Sequence, residues 1–277
     1  MKFRPCIDIH DGKVKQIVGG ALSDEASGKT NFVSEVDASF YAEMYRSRNL
    51  SGGHIILLNK TGTPEYEADL TEAQLAMNAY QKGFMIGGGV TLENAESFLN
   101  MGASHVIVTS YVFRDGVIDM PRLEHLTKTI GREHLVLDLS CRIRTTPFDV
   151  QKENDNCETL KNSGSYYIVT DRWQKFTNVK LNHDTLDLLA SYCDEYLIHA
   201  VDVEGKRSGI DSELITLLGS WDKLPLTYAG GVSSLSDLTK VKALGQDKVD
   251  VTVGSALSLF GGDMDLDDII STCSKPL

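Results

Sequence analysis

With 277 residues and 42% hydrophobic content, the chain suits one large α/β domain, since single barrels routinely run to about 250 residues. A formal net charge of −12 without any lysine or arginine cluster opposes nucleic-acid binding, so an anionic ligand must be gripped by local donors against the overall field. No apolar run approaches the roughly 20 residues of a membrane span, MKFRPCIDIHDG enters a strand without a signal-peptide core, and five cysteines without Cys-x-x-Cys spacing read as reduced thiols; a cytoplasmic protein is expected.

Arg4 to Ile9 reads as a short apolar strand carrying Asp8 near its end, and the Gly-, Ser-, Asp- and Lys-rich stretch from His10 to Glu35 as a long loop. Val36 to Tyr45 has helical spacing, His54 to Leu58 is a fully apolar second strand, and Asp69 to Tyr80 is a helix leading to a third strand at Phe84. Pro121 to Ile130 begins with proline in the first turn, where a missing N–H costs nothing, and His134 to Leu139 is a fifth strand carrying Asp138. A second polar loop spans Ser140 to Asn182, with a hairpin formed by SYYIVTD and the residues beyond Trp173. Asp184 to Tyr192 is the next helix, Tyr196 to Val201 the sixth strand and Asp211 to Leu218 a further helix.

Two stretches repeat one unit. Phe84 to Phe113 and Leu226 to Phe260 each read as strand, glycine turn, helix and a second strand ending in small polar residues: Gly88-Gly89 with Thr109 and Ser110, then Gly230-Gly231 with Gly254 and Ser255. Glycines let backbone N–H groups approach a ligand, and the following helix favours negative charge, so each copy reads as a phosphate cradle and the ligand as carrying a phosphate at each end. The eight strands so counted alternate with helices and lack strict polar alternation, as strands buried on both faces do; the expected fold is one (β/α)8 TIM barrel over residues 1–277, built from two half-barrel repeats. The loops at about 10–35 and 140–182 would lie on its active-site face.

Asp8 and Asp138, on the first and fifth strands, would face each other across such a ring, a quarter turn from the two cradles. A ligand held at both tips would pass between two carboxylates, an arrangement suited to one base and one acid. The plain alternative pairs Asp8 with Lys13 or Lys15 and Asp138 with Arg142 or Arg144. None of the seven histidines has ligand-like spacing with a carboxylate, His54 and His105 are expected at the stability face, and no metal is called for. Trp173 either stacks on a flat substrate ring when its loop closes or anchors that loop to the barrel wall. Asp202 and Glu204 either contact a sugar hydroxyl or are solvated acids.

RPCIDIHDGKVKQIVGG, IGGGV, LVLDLS, LIHAVDVEG, YAGGVSS and TVGSAL, in this order, resemble the histidine-biosynthesis barrels that isomerise a bisphosphorylated ribosyl-formimino-aminoimidazole carboxamide ribonucleotide, and the first motif looks most like their eukaryotic branch. The resemblance implies an Amadori rearrangement of an aminoaldose to an aminoketose without a cofactor, with Asp8 as general base and Asp138 as general acid. It departs from the bacterial pattern at Thr91, where arginine is usual, at His199-Ala200-Val201-Asp202, and at the LLNK end of the second strand, where Asn59 or Lys60 would take the polar role. Rival readings are the sister cyclase barrel, which works with a glutaminase, and a non-catalytic phosphosugar-binding barrel. A monomer acting alone on a small bisphosphorylated molecule is expected.

Overall fold

The computed structural model describes residues 1–17, 30–144 and 164–276. Eight parallel strands form the expected barrel: β1 (Cys6–His10), β2 (Gly53–Leu57), β3 (Phe84–Gly87), β4 (Val106–Val108), β5 (Leu135–Asp138), β6 (Glu195–His199), β7 (Leu226–Ala229) and β8 (Val249–Thr252). Each pairs with its neighbour in chain order. The ring closes where the Arg4 N–H donates to the Val251 carbonyl at 2.8 Å and the Val251 N–H to that of Lys2 at 3.0 Å.

The helices that follow are α1 (Ala38–Ser47), α2 (Pro64–Ala79), α3 (Ala95–Met101), α4 (Met120–Ile130), α5 (His183–Leu189), α6 (Ser212–Gly219), α7 (Leu235–Leu244) and α8 (Leu266–Ser274). Their starts follow capping chemistry. The side chains of Asp37, Thr63, Asp119, Asn182, Asp211, Ser234 and Asp265 each accept from a first-turn N–H, which satisfies a donor that has no partner inside the helix. The Thr63-Pro64 start explains why α2 begins a turn and more before the expected Asp69. None of these helices is long and apolar enough to cross a membrane.

Strand side chains alternate between two environments. Ile7, Ile9, Ile55, Leu57, Ile86, Leu135, Leu137, Tyr196, Ile198 and Tyr228 pack outward into the shared core with the helices, each such burial stabilising by about 1.5–3 kcal/mol. Met85, Ile107, Val136, Leu197 and Ala229, with Ile56, form a separate apolar plug inside the barrel. Two residues earlier along the strands lies a charged floor, where Arg4 meets Asp250 at 2.8 Å and Glu195 at 3.5 Å, and Thr227 donates to Glu195 at 2.7 Å. Two residues later, the same parity presents Asp138 and His199 at the opposite mouth.

The stretch His10 to Glu35 is not simply loop. Lys13–Ile17 pairs antiparallel with β1 and with Thr30–Val33. Val14 and Gln16 are buried, an alternation masked in the sequence by the lysines around them. The expected hairpin forms from Ser165–Thr170 and Lys175–Lys180, and Cys141–Arg144 adds a third strand to it. The central parts of both long loops, and Cys157, lie outside the described residues, whereas Cys6, Cys141, Cys193 and Cys273 are buried free thiols. The short hairpin of Phe113–Arg114 with Val117–Ile118 and helix α8 add to the expected elements.

Candidate active site

Asp8 and Asp138 enter one cavity of about 790 Å³ at the C-terminal mouth of the barrel. Neither follows the plain ion-pair alternative. Lys15 turns to Asp11 at 2.7 Å and Arg142 to Asp202 at 2.9 Å, while Asp8 accepts from Gln16 Nε2 at 3.3 Å. Asp138 Oδ1 accepts from the Ser140 N–H at 2.9 Å, the Ser140 hydroxyl at 2.8 Å and His199 Nδ1 at 3.1 Å.

These environments drive the two carboxyl groups apart. Burial, reinforced by the Glu204 carboxylate, pushes Asp8 up to about 7, against the pull of His199 and Gln16. Burial would raise Asp138 as well, but the charge and hydrogen bond of His199, together with Ser140, hold it below the usual carboxylate range. Burial opposes a charge on His199, yet the adjoining Asp138, with Glu204 and Asp8, carries it up to about 9. On its other side, burial and the His199 charge drop His54 to about 3, so that ring is neutral. A pair of carboxyls separated in this way fits one proton acceptor and one anionic partner of a proton donor.

Both glycine turns line the same cavity, along with Thr109, Ser110, Gly254 and Ser255. Gly89, at φ +71°, would place a Cβ 2.1 Å from Thr61 Oγ1, and Gly231, at φ +68°, would place one 2.0 Å from the Gly209 carbonyl; only glycine fits either position. The helix contribution expected at each cradle is not what the turns offer. α3 starts late, after Asn94 Oδ1 has taken the Thr91 N–H at 2.8 Å. At α7, Ser234 accepts from the Asp237 N–H, and the Asp237 carboxylate in turn takes the Ser233 N–H at 3.1 Å and hydroxyl at 2.8 Å. The donors the cavity offers to an anion are therefore loop amides and the lining cations Lys60, Arg172, Lys175 and Arg207. Arg207 is fixed beside the second turn by donating to the Ser255 carbonyl.

Trp173 also lines the cavity. Its Nε1–H donates to Ser140 Oγ at 3.0 Å, and its ring lies 5.7 Å from that of His199. Asp171, Arg172 and Trp173 all adopt positive φ, between 51° and 67°, in the turn that presents the indole. Such non-glycine strain costs on the order of 1–3 kcal/mol per residue and persists where surrounding contacts impose it. Here Ser110 Oγ accepts from the Asp171 N–H at 3.1 Å, and Lys175 pairs with Asp171 at 2.7 Å.

Gln16, His54, His199 and Arg207 were not singled out by the sequence as site residues, yet they line the cavity together with Glu204, which the sequence left open between a sugar contact and a solvated acid. His54 corrects the placement at the stability face: although it is the second residue of β2, it shares the inward parity of Ile56 and its ring lies 6.2 Å from that of His199. Glu204 is no solvated acid, because its Oε2 is buried with no hydrogen-bond partner among the described residues.

The pattern of the family described as histidine biosynthesis protein matches residues 2–264. The chain belongs to this family. Within it, the chain is 47% identical over 276 residues to a Medicago truncatula protein named as a chloroplastic 1-(5-phosphoribosyl)-5-((5-phosphoribosylamino)methylideneamino)imidazole-4-carboxamide isomerase, covering 98% of this chain and 81% of that one. Proteins of the same isomerase name from Yarrowia lipolytica and Saccharomyces cerevisiae are 44% and 40% identical, each over 95% of this chain and over 93% and 94% of their own.

The three departures from the bacterial pattern of this histidine biosynthesis family have structural counterparts. Thr91 brings no charge to the first turn, and Lys60 lines the cavity there. Asn59 is occupied: its Oδ1 accepts from the Asp11 N–H at 2.7 Å and its Nδ2 donates to Asp11 at 3.1 Å. Asp202 accepts from Arg142 and from the Ile143 N–H at 3.1 Å, fastening the segment after β6 to Cys141–Arg144, and Glu204 rather than Asp202 lines the cavity.

Proposed function

We propose that the protein is an aldose–ketose isomerase of histidine biosynthesis, acting as a single chain on the bisphosphorylated aminoaldose named for its relatives and performing an Amadori rearrangement. The observation that carries this reading is the entry of Asp8 and Asp138, from β1 and β5, into one cavity between two glycine turns. One phosphate would sit at Gly88, Gly89, Thr109 and Ser110, the other at Gly230, Gly231, Gly254 and Ser255, with Lys60 and Arg207 supplying charge. Trp173, anchored through its N–H to Ser140 and lining the cavity, would close over the flat imidazole between them.

In this reading a proton donor on the side of the cavity opposite Asp8, where Asp138 is the anionic partner, protonates the ribose ring oxygen as the C1–O bond breaks and the nitrogen lone pair forms an iminium. The Asp8 carboxylate then takes the C2 proton, leaving an enaminol, and returns it to C1 as the ketone forms. A carboxyl held at about 7 is basic enough for this step and is already half ionised near neutral pH. A cytoplasmic site of action belongs to the proposal, and cell fractionation separates it from the plastid location named for the Medicago relative.

The test is to mix the purified protein with the aminoaldose in buffer free of ammonia and glutaminase and to follow the ultraviolet spectrum and the product by mass spectrometry. Conversion to a ketose of unchanged mass is expected. Binding without conversion would instead support a phosphosugar sensor, and a requirement for ammonia would support the cyclase reading.

A further inference from the structure

We propose that the group that donates the proton is the imidazolium of His199, with Asp138 as the residue that positions and charges it. The proposal rests on the isomerase reading above and names a donor that the sequence comparison with the family does not supply.

Its basis is the bonding around Asp138. Oδ1 already accepts three hydrogen bonds, from the Ser140 amide, the Ser140 hydroxyl and His199 Nδ1, all within 3.1 Å. A carboxylate solvated by three donors is stabilised as the anion and is a weak proton donor. The ring hydrogen bonds of His199 among the described residues are all made at Nδ1, including a longer approach of 3.4 Å to Ser140 Oγ, and the ring lines the cavity. Nε2 is thus the nitrogen left to a ligand. The ring is held on two further sides, with the indole of Trp173 at 5.7 Å and the ring of His54 at 6.2 Å. Because Trp173 donates to the same Ser140 hydroxyl that donates to Asp138, seating of the hairpin and orientation of the Asp138–His199 pair share one hydrogen-bond chain.

Proton accounting closes on this assignment. His199 Nε2–H protonates the ring oxygen as the C1–O bond opens, and Asp8 takes the C2 proton. When Asp8 returns that proton to C1, the hydroxyl on C2 gives its proton to the now neutral His199 Nε2, the C2=O bond forms, and both side chains are back in their starting states. The charged and titratable groups facing His199 are Asp138 from β5, Asp8 from β1, His54 from β2 and Glu204 from the segment after β6. The three carboxyl groups favour the imidazolium and His54 is neutral, consistent with a ring that keeps its proton to about pH 9.

The test compares His199→Gln and Asp138→Asn with the wild type in steady-state turnover across pH 5.5 to 10, beside selective imidazole nitrogen NMR of the intact wild-type protein, the His199 signal being assigned by its loss in His199→Gln. His199→Gln is expected to lose about 10²-fold to 10⁴-fold in kcat with KM nearly unchanged, and its residual rate to lack the alkaline fall. In Asp138→Asn that fall moves to lower pH, because the ring has lost its anion. The NMR signal in the wild type should stay that of an imidazolium through pH 8, a readout that stands even if His199→Gln folds poorly. Wild-type turnover with His199→Gln within about threefold of it and an unchanged pH profile, or a His199 ring already neutral at pH 7, would overturn the donor while leaving the isomerase reading intact. Wild-type protein inert toward the aminoaldose would overturn both.

Discussion

Replacing Asp8 by asparagine should remove activity and yet make the protein more stable above neutral pH. The carboxyl moves from 3.8 in the unfolded chain to about 7 in the fold, chiefly through burial. An unfolded Asp8 ionises from about pH 3.8 upward while the folded one keeps its proton to about 7, so the folded state loses stability as pH rises between the two and then stays level. A shift of about three pKa units corresponds to about 4 kcal/mol in full. Asp8 is only half-buried and faces the cavity, so solvent reduces this to roughly 1–3 kcal/mol. Asparagine carries no such loss and can still accept from Gln16. Urea denaturation followed by circular dichroism should therefore show Asp8→Asn more stable than wild type by that amount at pH 8, with a smaller gain at pH 5. A variant equal to or weaker than wild type at pH 8 would refute the claim that the fold strains this carboxylate.

Arg207→Ala should weaken binding of the aminoketose product by about tenfold and lessen its salt dependence, since a charge-assisted contact to one phosphate is lost; isothermal titration at two salt concentrations checks this. The wild-type kcat/KM should be bell-shaped, rising through about pH 7 as Asp8 ionises and falling through about pH 9 as His199 loses its proton, a profile that initial rates in overlapping buffers would test. Phe260→Ala should cost about 3–5 kcal/mol, because this fully buried ring stacks on Tyr41 at 5.4 Å and meets Phe32 edge-on at 5.7 Å; thermal denaturation gives the value.

The barrel was legible because its signals are local and doubled. Apolar runs of four to six residues, helix caps and two glycine turns each report their own element, and Asp8 and Asp138 stand out through their matched places in the two halves. What escaped depends on which side of the barrel wall a side chain takes. His199 and His54 look like ordinary strand residues until the parity set by Leu197 and Ile56 turns them inward. Glu204 was indistinguishable from Asp202 in the sequence, and the Arg142 and Ile143 contacts of Asp202 separate the fastening acid from the one at the cavity. Gln16 was hidden within a lysine-flanked strand that composition presents as loop. The helix N-termini at the glycine turns were over-read, because Asn94 and Asp237 are themselves the anions or acceptors that occupy the amides.

On the proposed reading one cavity holds both charged ends of a single ligand, with its sugar between Asp8 and the Asp138–His199 pair. A crystal structure of the protein with the aminoketose bound tests this most directly. One phosphate is expected at Gly88-Gly89, the other at Gly230-Gly231, and the sugar carbons within hydrogen-bonding or proton-transfer reach of Asp8 and His199. A phosphate outside either turn, or a sugar remote from both side chains, would contradict it.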